Sequence, residues 1–393
     1  MSFFRRRLAL FMTVLPFACY AYACSSDDPS PPLSEEDAGE TDGGGTKDED
    51  GSSPVDSGGK IDSGSGDAGD AGDAGDAGDD GGPVVLECLG NPLTTDGGSP
   101  DGGVVIPFAS LKAIAAGPFL DGPQFIDDGT DAGAIVYSEV TAQRIVRNGP
   151  DGGARVVLRA TGAEELLPIG NAHVGNLIYT TLARTGGGGG ILRMLVDGGS
   201  PTGFDGGPAN SPNDAVASSK GFVYFTDPNW QAGGPSTGVY RMAPDGGVTT
   251  ITTFNGGLAN RADGIALTQD GTTLYVGLFD QRTIRKYTVD ASGVASYAQD
   301  FAFVPANNPT GIAVDIAGNL WIAENVDDAT EGLIEIVSPA GKKWGEIPFP
   351  DSKPTGIAFG GPDNKTAYIT TERGIGNVDG TLYVLPTRCA GVR

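Results

Sequence analysis

Two carboxylates and an amide, Asp121, Asp263 and Asn213, hold the same place in three copies of one repeated pattern. Hard oxygens of this kind, converging on an axis, suit a divalent cation such as Ca²⁺ or Mg²⁺. The same place in the other copies is taken by Thr310, Thr355 and Ile169. An Asp or Asn before Gly also makes a turn without any further role. For one such residue that reading is sufficient; three placed by the same repeat point to a site.

The pattern that positions them is clearest in ADGIALTQDGTTLYVG from Ala262, PTGIAVDIAGNLWIAE from Pro309 and PTGIAFGGPDNKTAYIT from Pro354. Each is a loop residue, a short apolar strand, a turn on Gly or Asn, and a second strand. Weaker copies begin at Leu120, Pro168 and Pro212. A repeat of roughly 45–50 residues built from short strands predicts a β-propeller, one four-stranded blade per copy. Six copies predict six blades, whose symmetry would aim the six loop residues at one mouth of the central channel. Alternation predicts that Leu274 and Val276 share a face, as do Leu320 with Ile322 and Ala367 with Ile369. DGG triplets at Asp151, Asp197 and Asp245 mark chain reversals. The segment around Ile106–Ile114 is expected to complete the last blade beside Thr381–Pro386, so that the ring has no long open edge.

Other chemistries find little support. His173 is the only histidine, so neither a His-ligated zinc nor a His dyad has a second member, and a structural role is expected for it. The glycine run from Gly186 lacks the Lys and helix of a phosphate cradle. Trp230 is open between lining the channel mouth and packing in the core. The head carries 32 acidic residues against 20 Lys plus Arg, which excludes a basic groove for nucleic acid.

The ends describe an address. Arg5, Arg6 and Arg7 precede an apolar stretch, Leu8 to Tyr22, that ends in AYAC. Residues 1–23 are therefore read as a lipoprotein-type signal, with Cys24 as the lipidated first residue of the mature chain. Residues 24–83 are read as a disordered linker. From Ser25 to Pro83 there are 18 acidic residues, two lysines and no aromatic residue, so most of the chain's net charge of −25 lies in a segment that cannot build a core. The DAG run lacks the ligand spacing of an EF-hand loop and reads as a solvated spacer. Residues 84–393 form the head. Cys88 and Cys389 lie near its two ends, and an exported compartment together with ring closure predicts a bridge between them. Such a bridge would stabilise by about 4–5 kcal/mol in the chain-entropy model. The expected place is the bacterial cell envelope, lipid-anchored at the periplasmic or surface face of the outer membrane, with a monomeric head.

NSPNDAVASSKGFVYFTDPNW, Asn210 to Trp230, resembles the family of gluconolactonases, senescence-marker protein and luciferin-regenerating enzyme. GVYRMAPDGG from Gly238, the stretches from Ala262 and Pro309, and FGGPDNKTAYIT from Phe359 are similar to further family motifs. The resemblance implies a six-bladed propeller holding one divalent cation, most often Ca²⁺ with Mg²⁺, Mn²⁺ or Zn²⁺ as alternatives, and hydrolysing sugar lactones or small esters. Carried over position by position, it implies metal ligands at Asp121, Asp263 and Thr310 and a substrate-holding amide at Asn213. The family has Glu, Asn and Asp at the first three of these positions. The carboxylate count is kept, but a hydroxyl at Thr310 does not ionise near neutral pH, which leaves Asp263 as the expected catalytic base. A propeller that kept the shape and lost the chemistry, serving as a tethered binding module, is the alternative.

Overall fold

A computed structural model describes residues 104–392 except 131, 163–165, 185, 231–235, 256–259, 304, 326–329 and 375–378. The signal, the linker, Cys24, Cys88 and the boundary at residues 83/84 lie outside these residues.

The short apolar strands assort into six sheets, five of four strands and one of five; four run outward from the inner strand in chain order, and the last two each take their outermost strand from the start of the described chain. The inner strands are Leu120–Ile126, Leu166–Val174, Ala215–Ala217, Ala262–Leu267, Asn308–Val314 and Lys353–Gly360, and they head blades one to six. Neighbouring strands pair antiparallel within every blade. The predicted six-bladed propeller is the observed fold. The only helical element among the described residues is a 3₁₀ turn at Phe108–Ser110.

Each blade packs face to face on the next through an apolar cluster of its own. Tyr224 and Val239 of blade three meet Ile265 and Val276 of blade four, and Trp321 and Ile334 of blade five meet Phe359 and Ile369 of blade six. Blade six meets blade one through Tyr368, Leu382, Phe125 and Tyr137. The expected face-sharing pairs hold, with Leu274 and Val276 in one cluster and Leu320 and Ile322 in another. Ala367 and Ile369 share a third.

The DGG triplets turn the third strand into the fourth in blades one to three. Gly152, Gly198 and Gly246 take the left-handed φ that the reversal needs, at 96°, 85° and 93°. The Asp Oδ1 of each triplet accepts a hydrogen bond from the N–H two residues on, at 3.0, 2.7 and 3.0 Å.

Ring closure follows the prediction with one correction. Lys112–Gly117 is the outermost strand of blade six and pairs antiparallel with Gly380–Pro386. The expected strand also reached back to Ile106, but that part belongs to the neighbouring blade. Val104–Val105 pairs in parallel with Gly345 and Glu346 of blade five, and Ile106 N–H donates to Glu346 O at 2.9 Å. Pro107 ends this pairing, since it has no N–H to offer a ladder. Phe108 then wedges between the two blades, its ring 5.4 Å from Phe349 and 5.3 Å from Tyr383. Cys389 is buried near the other chain end.

Candidate active site at the channel mouth

The six expected loop residues do stand at equivalent positions. Five lie on the inner strands, and Asn213 lies two residues before its own. In five blades a register shift follows the position at once: between Asp121 and Gln124, Pro168 and Asn171, Ala262 and Ile265, Pro309 and Ile312, and Pro354 and Gly356. A bulge here re-aims the side chain while the rest of the strand keeps its ladder.

The glycine after the loop residue has a reason other than turning. A Cβ on Gly264 would stand 1.6 Å from Thr310 O, and one on Gly122 would stand 2.2 Å from Ile169 O. The position is kept small because consecutive blades touch backbone to backbone around the axis. Blade three breaks this rule with Asp214, where the other five blades have Gly122, Gly170, Gly264, Gly311 and Gly356. Its carboxylate therefore enters the channel. Oδ1 accepts from Ala215 N–H at 2.8 Å and Oδ2 accepts from Ile265 N–H, in blade four, at 3.1 Å.

Threonine hydroxyls tie one blade to the next at four of the six junctions. Thr226 donates to Asp263 O at 2.5 Å, Thr355 to Leu120 O at 2.7 Å, and Thr181 to Asn213 O. Thr310 belongs to this girdle: its hydroxyl lies 3.1 Å from Pro354 O and 3.2 Å from Ala323 O. The proton of the expected third ligand is thus directed at backbone carbonyls.

The carboxylates are crowded and poorly compensated. Asp121 is pushed up to about 6 by removal from water, against the opposing pull of Gly122 N–H and the Thr355 hydroxyl. Asp214 is pushed up to about 7, first by burial and then by the charge of Asp121, although two N–H groups oppose the shift. Asp263 lies well above the ordinary carboxylate range through burial and the charges of Asp121 and Asp214. Arg261 pulls it back only in part, because that guanidinium is already clamped on Asp280. Asp263 is 7% exposed, and no hydrogen bond reaches its carboxylate among the described residues. Glu372, at the end of the second strand of blade six, is raised to about 7 by burial and by Asp121, with Lys353 opposing.

A divalent cation must be tested against this donor set. Among the described residues no three His, Cys, Asp or Glu side chains come close enough together to hold a metal ion. The uncompensated Asp263 carboxylate, the channel-facing Asp121 and the Asn213 amide fit a different arrangement, a hard cation held by few protein oxygens and completed by water. Asp214, with both oxygens committed to N–H groups, positions the strands. A cavity of about 120 Å³ is lined by Gly122, Asn171, Asp214, Ile265 and Thr268 among others, residues on or next to the inner strands and past the loop positions.

Trp230 resolves toward a packed rim. The Arg261 guanidinium lies 3.8 Å over its ring, and Phe279 meets it edge to face at 5.1 Å. His173 sits four residues past Ile169 on the inner strand of blade two, opposite Ile178 in the ladder. Asp214 and Glu372 were missed from sequence. The signal for Asp214 was present, because it is the one non-glycine among six equivalent positions.

The family model for the SMP-30/gluconolactonase/LRE-like region matches residues 126–373. This chain belongs to that family. Among curated relatives, a pentonolactonase of Haloferax volcanii is 33% identical over 187 residues, covering 47% of this chain and 57% of that protein. The chain thus spans a little over half the length of that relative. A gluconolactonase of Zymomonas mobilis is 26% identical over 290 residues, 65% of this chain and 76% of that protein. The fold is shared with the calcium-binding protein regucalcin of Agrobacterium tumefaciens, at a TM-score of 0.57 and 18% identity, covering 74% of this chain and 99% of that one. A gluconolactonase of Xanthomonas campestris superposes at 0.56 with 23% identity, over 70% and 89%.

Proposed function

We propose that this chain is a divalent-cation-dependent hydrolase of sugar lactones or related small esters, exported and held to the bacterial envelope by a lipid on Cys24. One observation carries the reading: a nearly buried Asp263 carboxylate without a hydrogen bond feels the charge of a second carboxylate, Asp121, which accepts from Gly122 N–H at 2.7 Å but has no cationic partner among the described residues. A buried charge left in this way is costly unless something of opposite sign completes it. The relatives' names, pentonolactonase and gluconolactonase, give the substrate class.

Asp121 and Asp263 would hold the cation, with Ca²⁺ the first choice because a protein of the same fold is a calcium-binding protein. When bound, the cation supplies a Lewis acid for the lactone carbonyl. Asn213 would orient the substrate, since no hydrogen bond occupies its amide among the described residues and it stands beside Asp214 at the same level. The acidic linker would keep the head clear of the membrane surface, and a Cys88–Cys389 bridge would secure the ends of the head.

The second reading, a binding module, is favoured by the Thr310 hydroxyl being spent on Pro354 O and Ala323 O. A pH-indicator screen of aldonolactones and simple esters with Ca²⁺, Mg²⁺, Mn²⁺ and Zn²⁺, run beside Asp263→Ala, separates the two. Turnover that needs a cation and vanishes in the variant supports the hydrolase. Activity absent across the panel, or indifferent to the variant, establishes the binding module in its place.

A further inference from the structure

The mouth has a second ring of positions, one step outside the loop residues, and the strand registers identify it. Gln124, three residues past Asp121, pairs with Val136, and four residues further on stands Val140. Ala358, three residues past Thr355, pairs with Tyr368, and four residues further on stands Glu372. Val140 and Glu372 are therefore equivalent in blades one and six. The same count in blade two, from Ala172 and Tyr179, reaches Ala183.

What such a residue touches is visible between blades one and two. Val140 packs with Ile169 and Ala183 in a small buried cluster at the mouth, so it lies against the loop residue of the next blade. By the same geometry Glu372 lies against the loop residue of the blade after its own, which is Asp121. Its strand agrees. Side chains two apart share a face, and Thr370 on that face is 2.9 Å from the Thr355 hydroxyl, which also hydrogen-bonds Leu120 O in blade one.

An apolar pair at one blade junction is thus replaced by two carboxylates at another. Glu372 is only 8% exposed, and neither a hydrogen bond nor an ion pair reaches its carboxylate among the described residues. Lys353 stands opposite it in the ladder without forming an ion pair. A structural acid would be expected to have recruited such a partner. Asp263 cannot easily serve as both cation ligand and base, and Thr310 cannot be a base at all. Glu372 is the nearby carboxylate left uncommitted.

We propose that Glu372 is the proton acceptor of the hydrolytic reaction. The inference rests on the lactone-hydrolase reading above. As a water oxygen bonds to the lactone carbonyl carbon, Glu372 takes one proton from that water and the carbonyl π pair moves onto its oxygen. Collapse of the tetrahedral adduct re-forms the carbonyl and breaks the ring C–O bond, and the departing ring oxygen takes the proton back from Glu372. The sum is one water added across one ester bond, with the carboxylate regenerated.

The test uses the full chain with δ-gluconolactone and Ca²⁺, comparing wild type, Glu372→Gln and Asp263→Ala. Loss of a general base costs about 10²–10⁴ in rate, so Glu372→Gln should lower kcat at least about 100-fold with KM little changed. It should keep the Ca²⁺-dependent rise in melting temperature, which Asp263→Ala should lose. Glu372→Ala, should the glutamine variant not melt cooperatively, serves as the second variant, and added formate should restore part of its turnover. Glu372→Gln turnover close to wild type would overturn this role while leaving the hydrolase reading intact. Loss of the Ca²⁺ response in Glu372→Gln would make the residue a ligand and overturn the assignment. Absence of formate rescue in a folded Glu372→Ala would also count against it. A wild type that turns over no lactone overturns the underlying reading, and the proton acceptor with it.

Discussion

The Asp214 carboxylate bridges two blades, accepting from Ala215 N–H within its own blade and, at 3.1 Å, from Ile265 N–H in the next. It holds the strand that carries Asp263. Asp214→Ala should leave the buried Ile265 N–H without that acceptor and cost about 1–3 kcal/mol, the usual penalty for a stranded donor. Asp214→Asn keeps one acceptor oxygen and should cost less. Urea unfolding of the three proteins at one pH checks the order, and an alanine variant as stable as wild type would remove the bridging role.

Cation binding should appear as thermal stabilisation even without substrate, because a ligand that binds only the folded state raises its stability. Millimolar Ca²⁺ is expected to raise the melting temperature of wild type but not of Asp263→Ala. Thr355→Ala gives up the hydroxyl bonds to Leu120 O and Thr370, so its baseline should fall, while its Ca²⁺ response should remain. Scanning calorimetry in EDTA and in Ca²⁺ reads both effects.

Stability without a cation should fall as pH rises toward neutrality. Asp121 and Asp214, normally near 3.8, lie at about 6 and about 7, and Glu372 moves from 4.5 to about 7. Each binds its proton more tightly folded than unfolded. Their stabilising contribution is therefore full below about pH 4 and is lost as pH passes 6 to 7. Glu324, raised by burial and by its neighbour Glu335, pulls the same way. Melting temperatures in EDTA should decline between pH 4.5 and 7.5, and Ca²⁺ should reduce the decline. A flat or rising profile in EDTA would contradict the proposed electrostatics.

Thr310→Asp offers a sharper probe of the same charge balance. The variant loses the bonds to Pro354 O and Ala323 O and adds a carboxylate at a buried position near Asp121 and Asp263. It should melt below wild type in EDTA and gain more than wild type from Ca²⁺. Titration calorimetry with Ca²⁺ should show tighter binding, and weaker binding would place position 310 outside the cation's reach.

Metabolic labelling with palmitate should tag wild type and not Cys24→Ser. Equal labelling of both would locate any lipid elsewhere.

The repeat made the blade count legible because each blade repeats the same problem, turning a short strand at a fixed radius. Loop residues were legible for the same reason. Glu372 was not, since its importance arises from a neighbour some 250 residues earlier that only ring closure brings alongside. The bonds of the Thr310 hydroxyl to Pro354 O and Ala323 O depend on the adjacent strand and blade and could not be read from its place in the repeat. Alternation was muted in strands such as Ala262–Leu267, buried throughout because blades cover both faces. The misplacement of Ile106 had a local cause, as Pro107 divides one apolar run between two blades.

That division also determines where a pull on the preceding chain is felt. The strand that fastens the ring is Lys112–Gly117, yet the chain leaves the ring from blade five, past the Phe108 wedge and the Val104–Val105 pairing. If the preceding residues are the tether proposed above, a pull on them would first load a blade whose four other strands follow one another in the chain, before it reached the seam. On that reading residues 104–105 would act as a strain relief, giving way before the closing strand 112–117 does.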